Sequence, residues 1–353
     1  MAKNNDNLKV NIVDLFCGIG GLSYGLNKEG LNVVAGYDLD ATCKYPYEAN
    51  NDSVFINEDI NNIAGNDLKV HYKNCDVKVL VGCAPCQPFS TYSFKSEDKK
   101  KWQLLYQFSR IVNELQPDII SMENVPRLAN FRKEPIFGNF LDNLSKNGYS
   151  YSYKIVNCSD YGIPQFRRRL VLLASKFGNI DLIPETHKTD NYRTVEKAIG
   201  SLEHLKSGEV SAKDPLHRAS KLSELNLKRI RQSKPGGTWK DWDESLLLDC
   251  HKKDTGKTYV SVYGRMSWNK PSPTITTHCT GLGNGRFGHP EQDRAITLRE
   301  AAILQSFPKK YKFVKKGKPY NKRTLSIHIG NAVPVKLGQV IGKSIINHLK
   351  IHN

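Results

Sequence analysis

A cysteine follows closely on a strand-like run, Asp76-Val-Lys-Val-Leu-Val81, within Gly82-Cys-Ala-Pro-Cys-Gln-Pro-Phe-Ser90. A thiol on a rigid turn at a strand end is placed to act as a nucleophile, given a nearby positive charge or helix N-terminus to raise its thiolate fraction. Cys83-x-x-Cys86 also fits a metal or redox pair, but no second Cys-x-x-Cys or Cys-x-x-His supplies the further ligands that zinc needs. The histidines give no convincing metal set: His348 and His352 share a helix face with no third ligand beside them. No metal is expected. Glu123-Asn-Val-Pro126 closes a second strand-like run, where a carboxyl group either donates a proton, once burial raises its pKa, or caps a helix. Pro164-Gln-Phe-Arg-Arg-Arg169 gathers guanidiniums that suit phosphate or carbonyl recognition, or forms a solvated charge run.

The elements that must position these groups alternate. Strand-like runs at 10–16, 31–37, 76–81, 118–122, 149–156 and 169–174 are interleaved with helical periodicity at 22–28, 101–115 and around 136–144. Repeated strand–helix units predict an α/β fold with a doubly wound, mostly parallel sheet. Asp14-Leu-Phe-Cys-Gly-Ile-Gly-Gly21 stands where the first strand meets the first helix, so its glycines admit a ligand at the carboxyl edge of the sheet. A dinucleotide fingerprint would need glycine at position 23, where this chain has Ser23, which argues against a pyrophosphate. Asp38 ends the second strand, where a carboxylate can accept ribose hydroxyls. Residues 186–290 are rich in Gly, Pro, Thr and His and read as a loop-rich second unit. Helical segments at 298–304 and 335–349 follow, separated by a basic stretch.

Composition narrows the partners. The 353 residues carry 52 Lys plus Arg against 35 Asp plus Glu, a formal charge of +17, which favours a polyanionic partner. With no apolar run long enough to span a bilayer and no secretory leader, a cytoplasmic protein with reduced thiols at its eight cysteines is expected.

In order and spacing, these segments resemble the DNA (cytosine-5)-methyltransferase family, of the prokaryotic or viral restriction–modification type. The similarity rests on Asp14–Gly21, Pro85-Cys86-Gln87, Glu123-Asn-Val125, Gln165–Arg169, Arg294-Ala-Ile-Thr-Leu-Arg-Glu-Ala-Ala-Ile-Leu-Gln-Ser-Phe-Pro308 and Gly330-Asn-Ala-Val333. The resemblance implies S-adenosylmethionine as cofactor, held by Phe16, Gly18, Gly20, Asp38, Leu39, Asp59, Ile60, Pro85 and Asn331. It implies Cys86 as the nucleophile on carbon 6 of a flipped cytosine, Glu123 at ring nitrogen 3, Arg169 at the carbonyl oxygen and Arg167 orienting the nucleophile. Gln87, Ser90, Asn124 and Gln165 fall among the substrate contacts, Asn124 more as a buttress of the loop. The implied domains are 1–185 completed by 320–353, for catalysis and cofactor, and 186–319 for target recognition, with Arg265, Thr277 and His278 as candidate base readers. Residues 90–101 are a candidate closing loop, and residues 309–323, with eight Lys or Arg and no acid, a phosphate-binding rim. The partners expected are double-stranded DNA and a cognate restriction endonuclease without stable contact, with no membrane and a monomeric enzyme. A transfer-RNA cytosine-5 methyltransferase is the alternative. A catalytically dead homologue fits less well, because both the Pro-Cys-Gln thiol and the Glu-Asn-Val acid are present.

Overall fold

In the computed structural model, the described residues are 8–85, 103–130 and 135–352. Seven strands form one sheet in the order β3-β2-β1-β4-β5-β7-β6. They are β1 (Val10–Leu15), β2 (Asn32–Asp38), β3 (Val54–Asn57), β4 (Val77–Gly82), β5 (Ile119–Asn124), β6 (Ser150–Asn157) and β7 (Arg168–Ser175). The first five pair in parallel, whereas β7 runs antiparallel to both β5 and β6. The physical reason is length: the β6–β7 link, residues 158–167, is too short for the crossover that parallel neighbours require. The mostly parallel α/β sheet expected from the sequence is therefore the one formed.

The helices are α1 (Gly21–Lys28), α2 (Lys44–Glu48), α3 (Gly65–Leu68), α4 (Gln103–Leu115), α5 (Ile136–Lys146), α6 (Val195–Ile199), α7 (Glu224–Gln232), α8 (Asp249–Lys252), α9 (Asp254–Lys257), α10 (Leu298–Leu304), α11 (Lys322–Asn331) and α12 (Val335–His352). Strand alternation splits the core between the two faces of the sheet. Val13 and Leu15 face Leu105, Phe108, Ile111, Val112 and Leu115, the i, i+3, i+4 stripe of α4. Ile12, Val79 and Val81 face α1 and the apolar stripe Leu337, Ile341 and Ile345 of α12. Gly25 lets these two helices meet, since a Cβ there would strike the Val335 carbonyl. The chain's C-terminal helix thereby closes against its first one.

A third cluster joins α10, α11, Phe307, Tyr311 and Phe313 to Ile19 and Tyr47. Arg294 is fully buried and grips Glu300 through both guanidinium amines, at 2.8 and 2.7 Å, while the Thr297 hydroxyl caps α10 by accepting the Glu300 N–H and the Thr297 N–H donates to the Glu300 carboxylate in return. The Arg294–Pro308 block thus folds as a fastener. Two small clusters, around Leu222 and Ile230 and around Trp239 and Trp242, lie wholly within residues 222–295. Among the described residues no helix is long and apolar enough to cross a membrane.

Candidate active site

The carboxyl ends of β1, β2, β4 and β5 open on one cavity of about 390 Å³, a size that suits a nucleoside-type ligand. The β1–α1 turn supplies its floor. Phe16, at φ 60°, is held in a left-handed conformation that is uncommon outside glycine, and Gly18 and Gly20 continue the turn at φ 51° and 81°. Asp14 is fully buried, its Oδ2 accepting the Ser23 hydroxyl at 2.6 Å while Oδ1 has no partner among the described residues. Burial pushes its carboxyl up to about 7. Ser23, the residue that breaks the dinucleotide fingerprint, is therefore the side chain that holds this carboxyl, and it also bonds Tyr47 at 3.1 Å. Asp38 accepts the Gly18 N–H at 2.8 Å and the Asp40 N–H at 2.9 Å, and burial raises its pKa too.

The opposite wall is built by β5 and β7. Glu123, 3% exposed, lies 2.8 Å through Oε1 from Arg169 Nε and accepts the Cys83 thiol on Oε2 at 2.8 Å. The Arg169 contact is an ion pair rather than an aligned hydrogen bond, because Oε1 has no acceptable donor geometry. Asn124 donates to the Ala84 carbonyl at 3.1 Å and accepts its neighbour Val125 N–H at 2.8 Å, which ties the end of β5 to the segment after β4. That loop brings Pro85 to the cavity wall. Cys86, Gln87, Ser90 and the 90–101 segment lie outside the described residues.

Arg167 lines the cavity and is buried. Its amines donate to the carbonyls of Ile275 and Gly330 at 3.1 and 3.2 Å, and burial lowers its pKa to about 9. Asn331 is exposed on the cavity rim. Ile60 is buried and packs with Phe16, Leu39 is 69% exposed, and Asp59 caps a short turn by accepting the Asn61 N–H. The turn holding Thr277 and His278 backs on Gly330, whose Cβ would strike Thr276.

Two expected substrate contacts are engaged within the protein. Gln165 is completely buried, donating to Gln305 and the Leu304 carbonyl and accepting the Ile275 N–H, so both of its donors are engaged within the protein. Arg265, 5% exposed, donates from Nε to Ile230 and Ser233, from one amine to His289 and Gln292, and from the other to Asp293. Four of its five N–H groups are thus engaged within residues 230–293.

Sequence reasoning missed His328, Asp40 and Cys43, which share the cavity wall. Asp40 and His328 bond at 2.8 Å. Only the adjacency of His328 to Gly330-Asn331 hinted at its position.

One cavity thus sets the buried carboxyls of Asp14 and Asp38 on one wall against the Glu123–Arg169 pair on the other. Residues 10–347 match the family of C-5 cytosine-specific DNA methylases. The chain is 55% identical over 339 residues to the Type II methylase M.HgiDII of Herpetosiphon aurantiacus, covering 96% of each chain. It is 32% identical over 351 residues to the Type II methyltransferase M1.BsuMI of Bacillus subtilis, covering 94% of this chain and 79% of that one. A prophage-encoded E. coli structure assigned as a DNA modification methyltransferase superposes with TM-score 0.75 at 23% identity, over 97% of this chain and 99% of that one. The Entamoeba histolytica methyltransferase EhMeth superposes with TM-score 0.64 at 16% identity, over 97% and 99%. The chain belongs to the C-5 cytosine-specific DNA methylases and is a DNA (cytosine-5)-methyltransferase of restriction–modification type. DNA is its substrate, and the family implies a methyl donor.

Proposed function

We propose that the donor is S-adenosylmethionine, and that the reaction runs through a covalent adduct of Cys86 with a cytosine flipped out of duplex DNA. The observation that carries this reading is the division of one cavity into an acidic wall, Asp14 and Asp38, and a Glu123–Arg169 wall. An orphaned Asp14 oxygen and the Asp38 carboxylate fit a ligand that brings a cationic centre and a ribose. Phe16 and Ile60 offer the apolar surface for its adenine, with Leu39 and Asp59 at its edge and Asn331 closing the rim. When bound, the cofactor supplies an electrophilic methyl group on a sulfonium.

The residues' work follows from cytosine chemistry. Carbon 5 is too weak a nucleophile until the ring's conjugation is broken. Attack of the Cys86 thiolate on carbon 6 forms the S–C bond and pushes an electron pair onto carbon 5, which takes the methyl group. Loss of the carbon-5 proton and expulsion of Cys86 restore the ring. Glu123 holds ring nitrogen 3 and makes carbon 6 electrophilic, while Arg169 fixes both the carbonyl oxygen and the Glu123 carboxyl. Asn124 and Arg167 position the loops around them. A base inside the duplex cannot reach these groups, so it flips at a cost of a few kcal/mol. Residues 186–319, with Thr277 and His278 among the base readers, read the target, and the two small clusters confined to 222–295 support treating them as a unit separate from 1–185 and 320–353. The enzyme works as a cytoplasmic monomer that protects DNA from a separate endonuclease acting on the same site, since one base at a time requires no symmetry.

Nucleoside mass spectrometry after incubation with S-adenosylmethionine and plasmid DNA or total transfer RNA tests this. 5-Methylcytosine in DNA alone, abolished by Cys86→Ala, is expected. Product only in RNA, or methylation surviving Cys86→Ala, overturns the reading.

A further inference from the structure

Three side chains that this chemistry does not use meet on the cavity wall. Asp40 follows β2, Cys43 lies in the next turn, and His328 comes from α11, more than 280 residues later. Cys43 Sγ stands 3.6 Å from His328 Nε2, Asp40 Oδ2 stands 2.8 Å from the same nitrogen, and all three ligand atoms lie within 4.8 Å of one another. Thr42 Oγ1 is also 3.2 Å from that nitrogen. A tetrahedral zinc with bonds of about 2.3 Å to sulfur and about 2.05 Å to nitrogen fixes S···N near ~3.5 Å, so the buried pair already stands at ligand separation. The matching O···N separation is about 3.3 Å, which Asp40 reaches by backing off about half an ångström. Asp40 is exposed and able to make that shift, whereas Cys43 and His328 are 2% and 7% exposed and fixed.

We propose that Asp40, Cys43 and His328 form a three-ligand site for a divalent cation of the zinc class, with the fourth position facing the cavity that all three line. A thiolate and an imidazole select zinc or cobalt over magnesium or calcium, which prefer oxygen donors. Binding replaces the Asp40–His328 hydrogen bond. The Nε2 lone pair turns to the metal, the ring proton moves to Nδ1, which is buried and without a partner among the described residues, and the Cys43 thiol releases its proton to solvent. Nothing in the spacing of the sequence reveals this set. The site stands independently of the methyl-transfer reading, because its signal comes from the metal itself.

Titration of the reduced, metal-stripped full chain with Co²⁺ is the test. One equivalent should give a thiolate-to-cobalt charge-transfer band with intense tetrahedral d–d absorption, and one equivalent of Zn²⁺ should remove both. Cys43→Ser should abolish the charge-transfer band and His328→Gln should weaken Co²⁺ binding at least tenfold, with folding checked by circular dichroism. Cys250→Ser, at an exposed thiol elsewhere, should leave the spectrum unchanged. Weak octahedral bands in the unmodified protein, or a charge-transfer band that persists in Cys43→Ser, would overturn the proposal. Should Cys43→Ser fail to fold, a spectrum indifferent to His328→Gln overturns it as well.

Discussion

Replacing Asp14 with Asn should stabilise the ligand-free protein at pH 8 and leave it no more stable at pH 5. Burial lifts this carboxyl from 3.8 to about 7 in the folded chain. Below pH 3.8 the group is protonated in both states and costs nothing. Between 3.8 and 7 the unfolded chain ionises while the folded one stays neutral, so stability falls by about 1.4 kcal/mol per pH unit. Above pH 7 the cost is flat, at about 4 kcal/mol. Asn keeps the Ser23 bond through its carbonyl oxygen, but it buries amide hydrogens with no acceptor, worth about 1–3 kcal/mol. The net gain is therefore about 1–3 kcal/mol at pH 8 and about zero or slightly negative at pH 5, where the native cost is only about 1–2 kcal/mol. Urea midpoints at both pH values measure it. An equal shift at the two pH values would refute the argument that Asp14 carries an uncompensated buried charge. The same linkage makes affinity for a cationic ligand beside Asp14 rise between pH 5 and 7, and that rise should vanish in Asp14→Asn.

Glu123→Gln preserves the shape of the wall but cannot protonate ring nitrogen 3; turnover should fall by about 10²–10⁴ with DNA affinity nearly unchanged, read by single-turnover methylation beside a binding assay. Gly25→Ala drives a methyl into the Val335 carbonyl and the Gly338–Gln339 backbone, costing about 1–3 kcal/mol in a urea titration, whereas Gly138→Ala on α5 meets nothing within 4 Å and should be neutral or stabilising by up to about 1 kcal/mol. Arg265→Met strands the carbonyls of Ile230, Ser233, His289 and Gln292 and should cost more than about 3 kcal/mol. The methylated sequence should nonetheless stay the same by bisulfite sequencing of whatever active enzyme remains.

What the sequence could reveal followed from local pattern. The apolar runs of β1, β2, β4 and β5 and the stripe of α4 announce themselves, because each buries a face whose period is set by its own backbone. Strand β3 escapes because it is four residues long with only Phe55 buried, and α11 because its buried Leu325, His328 and Ile329 start inside a basic run that reads as surface. The candidate site was legible as residue types at strand ends. Whether a polar side chain is free for a ligand was not. Gln165 and Arg265 look like recognition groups on paper, but acceptors from distant segments engage most of their donors. Ser23 is the reverse case: it looked only like a broken fingerprint, and it holds the carboxyl at the cavity floor.

The basic run at 309–323 divides in the same way, and that division predicts a salt dependence. Lys309 donates to Ser201, Lys322 to Ser220, and Lys315 lies 5.6 Å over the Tyr45 ring, so these three brace the fold. Lys310, Lys316 and Lys318 are exposed, and none has an acidic partner within salt-bridge distance among the described residues. If each neutralises one phosphate, the slope of log K against log salt should become less negative by about 0.9 per lysine, or ~2.7 for the triple Ala variant. The ratio of target to non-target affinity should hold, because phosphate contacts carry no base information. A slope unchanged within error would place the DNA on another face. A collapse of the affinity ratio would mean that this rim takes part in reading the sequence rather than only in holding the backbone.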